Sequence, residues 1–276
     1  MRALLPSRIG ALLASTVLLT AAAGHAAPRA QQVAGLPFVR IPAGRYKPLY
    51  RPTAEARSTP VSAFLLMTRP VTNQEFLEFV QAEPSYQRDR VARVFADVGY
   101  LTHWASPASL GENARPLQPV TRVSWFTARA YCASKGLRLP LEAEWERAAM
   151  ASATRADGSR DARQKQAILD WYATPHAELP DVPSGPANYF GVHDLHGVAW
   201  EWVEDFNSFA VDSDSREQGE GGRDQFCGGA ALRADDASDY ASFMRLAMRS
   251  SLQASYSNAH LTFRCAADPE ALHARK

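Results

Sequence analysis

An α+β fold in a single domain is what this sequence predicts, and three observations predict it. Helix patterns gather in the first half of the mature chain, short apolar runs that read as strands close the second half, and long loops join them. No linker, internal repeat or break in composition divides the 276 residues. Hydrophobic residues make up 46% and charged residues 21%, which is enough apolar material for one large core. The formal net charge of +1 gives no reason to expect nucleic acid or an anionic membrane as a partner.

The N-terminus reads as an export signal. Met1 to Arg8 is short and basic, Ile9 to Gly24 is apolar, and Gly24-His-Ala26 offers small residues for cleavage. The expected organisation is therefore a signal peptide over 1–26, a disordered leader over 27–35, the domain over 36–268 and a tail over 269–276. No later run reaches membrane-spanning length. The mature chain is expected to be periplasmic or secreted, monomeric, and free of the membrane once the signal is removed.

Leu36 to Tyr46 alternates apolar and polar residues into a Pro/Gly turn, and Pro60 to Met67 reads as a second strand. Thr72-Asn-Gln-Glu75 is a capping box: Thr72 accepts from the amide three residues on and Glu75 reaches back. The helix it opens should bury Phe76, Phe79 and Val80. A second helix runs from Trp125 to Lys135, with Gly136 placed to end it. The stretch Leu139 to Met150 begins a third, with Trp145 and Ala149 on one face. Residues 151–186 read as loop, with one short helix near Gln164 to Trp171. Val211 to Asp224 is acidic and glycine-rich, a solvated loop. Met244 to Arg249 and Leu261 to Cys265 read as closing strands.

The run Gly191 to Phe206 stands out. Asp194, Gly197, Ala199 and Glu201 form an oxygen-rich ladder interleaved with Trp200 and Trp202. Two carboxylates with free carbonyls between them suit a hard cation such as Ca²⁺. The competing reading is a turn into a strand whose tryptophans anchor the core and whose acids are solvated. Cys132, Cys227 and Cys265 are the only cysteines, an odd number, so one thiol is left over by any single disulfide.

Seven stretches then occur in one order: Arg69 to Phe76, Ser124-Trp125, Ala130 to Cys132, Gly136 to Glu146, Asp194 to Trp202, Gly228-Gly229 and Phe263 to Cys265. Together they resemble the formylglycine-generating enzyme (sulfatase-modifying factor) family across about residues 36 to 268. The resemblance implies one compact domain, poor in regular secondary structure and related to the C-type lectin fold. It implies structural calcium on Asp194, Gly197, Ala199 and Glu201. It also implies a Cys132–Cys265 disulfide, closing a 133-residue loop worth about 5 kcal/mol by loop entropy.

The family's chemistry does not carry over. Its enzymes oxidise a substrate cysteine with copper(I) held by two thiolates after a Gly-Gly-Ser turn. Here the turn is Gly228-Gly-Ala230, Arg233 stands where the first thiolate is expected, and Ala241 or a neighbour where the second falls. No cysteine lies between Gly228 and Asn258. A guanidinium offers no lone pair to copper, so copper is not expected.

Candidate site residues are therefore Cys227, Arg233, Tyr240, Arg249 and His260. Cys227 is either a small buried hydrophobe or a reactive thiol beside His193, His196 or His260. Arg233, Arg245 and Arg249 either bind an anion or pair with Asp235, Asp236 and Asp239. Tyr240 and Trp200 either wall a substrate groove or pack in the core. The stretches Phe226 to Ala230 and Ser238 to Arg245 resemble members associated with copper nitrite reductases. That favours an exported accessory factor for a periplasmic metalloenzyme. A small-molecule oxidase of the siderophore-chromophore type and a calcium-stabilised binding module are the alternatives.

Overall fold

The computed structural model describes residues 28–49, 58–176, 178–207 and 239–272. The signal sequence, the acidic stretch 211–224, the glycine turn, Cys227 and Arg233 all lie outside these residues.

The core is built on a four-stranded antiparallel sheet in the order β1-β2-β5-β8 (Gln31–Val33, Leu36–Ile41, Phe64–Met67, Ala266–Ala267). β5 is central and all four of its side chains are buried, which is why Phe-Leu-Leu-Met shows no alternation. The leader expected to be disordered is structured from Gln31. Ala34 and Gly35 both take positive φ, 50° and 79°, the turn that suits a two-residue hairpin, and they fold β1 back onto β2 with Gln31 opposite Phe38. The single strand expected over 36–46 is broken at Pro42-Ala43 into β2 and β3 (Gly44–Tyr46). β3 leaves the sheet to pair with β4 (Thr59–Val61). A separate parallel pair, β6 (Trp200–Trp202) and β7 (Leu261–Phe263), sets Trp200 opposite Leu261 and Trp202 opposite Phe263.

The helices cover this framework. α1 (Asn73–Ala82) carries the predicted capping box, with Glu75 N donating to Thr72 Oγ1 at 3.2 Å and Thr72 N donating to Glu75 at 2.9 Å. Arg69 clamps the same Glu75 carboxylate from behind. Phe76, Phe79 and Val80 are buried as expected, and Phe76 stacks on Tyr131 of α2 (Trp125–Ser134). Gly136 at φ 69° ends that helix. α3 (Glu142–Ala149) follows, and α4 (Ala162–Ala173), capped by Asp161, is longer than the short helix expected there.

The largest departure is α5 (Tyr240–Ser250), where a closing strand is expected over 244–249. Its buried face is Ala241, Arg245 and Arg249, one residue per turn. Two of those three are arginines, so the buried face is not the one marked by the apolar residues Tyr240, Phe243, Met244, Ala247 and Met248.

Cys132 and Cys265 are bonded, with Cα atoms 5.7 Å apart, and both are fully buried. The bond fastens α2 to the segment just before β8. A 3₁₀ turn at Pro269–Leu272 then opens the segment expected to be an unstructured tail. No described helix is long and apolar enough to cross a membrane.

Candidate functional site

The β6–β7 pair separates its residues into two environments. Trp202 faces the core, fully buried, with its indole N–H donating to Val123 O at 2.9 Å. Glu201 is no solvated acid. Its two oxygens accept from Arg264 at 2.7 and 2.8 Å, and Trp145 Nε1 adds a third bond at 2.8 Å. Both side chains of the ion pair are 0% exposed. Arg264 also donates to the carbonyls of Met67 and His193, so its charge is shared among oxygens from three parts of the chain. The closing Phe-Arg-Cys stretch and the central Trp-Glu-Trp stretch are thus two halves of one buried ion pair.

Asp194 sits at φ 60° ahead of Gly197 at φ 97°. Its carboxylate accepts from Ser184 N, Ser184 Oγ and Gly185 N at 2.8–3.0 Å. A calcium ion on Asp194 and Glu201 would share these carboxylates with Ser184, Gly185 and the Arg264 guanidinium. Among the described residues, no three His, Cys, Asp or Glu side chains gather closely enough to hold a metal.

Trp200, two residues before Trp202 on the same strand and only partly buried, lines an open cleft of about 330 Å³. Tyr172 of α4 stacks on it at 4.9 Å, Trp171 meets it edge-on at 6.0 Å, and His176 stacks on Trp171 at 5.1 Å. Asn258 and the exposed His260 complete the rim, held together by His260 N donating to Asn258 Oδ1 at 2.7 Å. Trp200 N donates to His260 O at 2.8 Å, which ties the rim to β6. Trp171 Nε1 is a buried donor with no acceptor among the described residues. Flat π faces make a surface for a planar or apolar group.

The candidates from sequence are therefore divided. His260 and Trp200 come together in the cleft. Tyr240 is 53% exposed and stacks on Phe243 instead. Among the described residues Arg245 and Arg249 do not pair with Asp239, and Asp235 and Asp236 lie outside those residues. Both arginines reach Glu146 of α3, at 2.8 and 2.7 Å, and Arg249 also lies 3.5 Å from Glu142. Burial alone would push Glu146 up, but the two arginines outweigh it and hold the carboxyl at about 2. Glu142 is pushed up to about 7 by burial, with Glu146 and Asp205 adding repulsion against the pull of Arg249. His196 is half-buried, bonded through Nε2 to Ala149 O and held at about 4 by burial and by Arg245, so it is neutral and donates to that carbonyl. His193 is bonded to Gly185 O. Trp171, Tyr172 and His176 were not singled out by sequence reasoning; the adjacent pair of large aromatics in a polar helix was the available signal.

Over residues 23–269 the chain matches the sulfatase-modifying factor enzyme 1-like domain. It belongs to that family. The formylglycine-generating enzyme of Thermomonospora curvata is 32% identical over 190 residues, covering 60% of this chain and 62% of that protein. The inactive C-alpha-formylglycine-generating enzyme 2 of Mus musculus is 31% identical over 185 residues, covering 54% and 60%. The serine/threonine-protein kinase pkn1 of Chlamydia caviae is 27% identical over 147 residues, covering 53% of this chain and 23% of the kinase. The chain thus spans less than two thirds of the length of each. Among solved structures, PvdO from Pseudomonas aeruginosa aligns with a TM-score of 0.47 and 18% identity, covering 84% of this chain and 94% of that one.

Within this sulfatase-modifying factor domain the cysteines decide what copper chemistry is open. The chain has three, and the Cys132–Cys265 bond consumes two. Cys227 is the one thiol left, so the chain does not supply the two-thiolate set that selects copper(I) in the family's oxidases.

Proposed function

We propose that this chain is an exported accessory factor of the sulfatase-modifying factor family. It holds a segment of a partner protein in the aromatic cleft while that partner matures, and does not itself oxidise cysteine. The partner is a periplasmic metalloenzyme, with copper nitrite reductase the leading candidate from the resemblance around Cys227 and α5. The cysteine inventory carries this reading: one free thiol is left where the oxidase chemistry needs two. A relative described as inactive supports a family in which the domain outlives its catalysis. In this reading the Asp194–Glu201 segment is a hydrogen-bonded scaffold that fixes β6, not a cation site.

The test has two arms. Deleting the gene should lower the metal content and activity of the partner enzyme, and Trp200→Ala supplied in its place should fail to restore them. The purified protein, loaded with copper(I) and given oxygen and a cysteine-containing sulfatase peptide, should leave the thiol intact. Formation of an aldehyde on that peptide would overturn the proposal. The cleft volume favours one second reading, since about 330 Å³ is the size of a small-molecule site. A small-molecule oxidase would consume oxygen with a purified precursor and need no partner protein.

A further inference from the structure

A second cavity, of about 410 Å³, lies between β3, α3 and the N-terminal ends of α4 and α5, and shares no lining residue with the aromatic cleft. Its walls carry five cationic side chains and three carboxylates, and the two signs are not equally spent. Glu146 is saturated by Arg245 and Arg249. Asp157 accepts from Ser159 N at 2.9 Å and Asp239 from Ser242 N at 3.1 Å; both keep their charge but are outnumbered by the four cations left after Arg245, so the wall is net positive. Arg245 is fully committed to Glu146 and Ser242.

The remaining four cations, Arg45, Lys47, Arg160 and Lys165, have no carboxylate partner among the described residues. Among the described residues Arg45 is held by neutral groups, with Nε donating to Ser58 Oγ at 2.6 Å and Nη2 to Ser58 O at 2.7 Å. A guanidinium fixed in place without losing its charge is a preorganised anion receptor, and a concave wall concentrates its field. The two polar groups beneath, His196 and the Glu146–Arg245 pair, add no net charge to oppose it. A single inorganic ion would leave most of this volume to water, because one water accounts for only about 30 Å³.

We propose that this cavity binds a small organic polyanion bearing two or more carboxylate or phosphate groups, through Arg45, Lys47, Arg160 and Lys165. Such a site is independent of the aromatic cleft and of the partner assigned to it. Isothermal titration calorimetry on the full chain, with citrate and fructose 1,6-bisphosphate as probes, tests it and separates carboxylate from phosphate preference. At least one probe should bind with Kd on the order of 1 mM or tighter and weaken as sodium chloride is raised. Lys47→Glu with Lys165→Glu should cost tenfold or more in affinity, Lys47→Glu alone a smaller factor, and Trp200→Ala nothing. Far-UV circular dichroism confirms that each variant is folded. No binding of either probe overturns the proposal. So does sulfate of equal ionic strength matching both probes, or folded lysine variants that bind like the parent.

Discussion

Glu201 and Glu146 both end up away from water against arginine, yet the two sites behave oppositely. Glu201 and Arg264 are a one-to-one pair whose spare donors and acceptors are met by Met67 O, His193 O and Trp145. Around Glu146 the count is uneven: Arg245 and Arg249 serve Glu146, and Glu142 shares Arg249 at longer range with Asp205 close by. The first site joins strand to strand and is closed. The second joins α3 to α5, the helix that follows the stretch carrying Cys227, and one of its carboxyls changes charge near neutral pH. The molecule thus has a fixed charge pair in its framework and an adjustable one beneath α5.

Removing one partner of the closed pair should have the largest effect. Arg264→Met leaves Glu201 buried and uncompensated, and should lower unfolding free energy by about 3–5 kcal/mol in urea melts. A loss under 1 kcal/mol would mean that the pair is more exposed in solution than in this structure. Glu146→Gln should cost less, about 2–3 kcal/mol, because Arg249 keeps Glu142 and a glutamine oxygen still accepts from one arginine. It should also lower the apparent pKa of Glu142 by removing a like charge, read by carboxyl-region NMR. No change there would separate the two carboxyls.

The adjustable pair has a pH signature of definite sign. Glu142 has a folded pKa of about 7, above its unfolded value, so the native state binds the extra proton between about pH 4.5 and 7. Stability should therefore fall as pH rises through that window, by on the order of 3 kcal/mol in total. His196 and His103, both held at about 4, act in the opposite direction below pH 6.5. The measurement is for that reason the difference between the parent and Glu142→Gln at each pH. A flat difference would remove Glu142 from the account. The smallest expected effect tests the scaffold role of Asp194 and Glu201: millimolar Ca²⁺ or EDTA should move Tm by less than about 1 °C. A rise of several degrees with calcium would show that the ion displaces Ser184 or Arg264 and that the sequence expectation is right.

What was legible in the sequence was local. Thr72 with Glu75, and Gly136 after α2, announce helix ends through bonds made within a few residues. The family stretches located the disulfide. Long-range charge was not legible: Glu201 and Arg264 are 63 residues apart, Glu146 and Arg249 103, and no pattern within either segment names the partner. For the same reason α5 read as a strand, since its buried face is made apolar only by Glu146 and by Trp145, over whose ring both arginines lie at 4.8 and 5.8 Å. β1 was missed because Gln31-Gln32-Val33 has no pattern of its own and owes its form to β2. The cleft was half legible. Trp200 and His260 sit in or next to family stretches, whereas Trp171, Tyr172 and His176 come from a polar stretch with nothing to mark it but the rings.

The parallel pairing of β6 with β7 has a consequence for how such a chain diverges. Residues 203–260 leave from one clamped strand and return to its neighbour, so both ends of this excursion are fixed by the same two strands. An exchange of this excursion would keep both anchor strands, the disulfide and the Glu201–Arg264 pair, and would have to supply its own partner for Glu146 of α3. A chimaera that exchanges 203–260 for the equivalent span of a relative is accordingly the natural unit in which to transplant one member's chemistry onto another's framework.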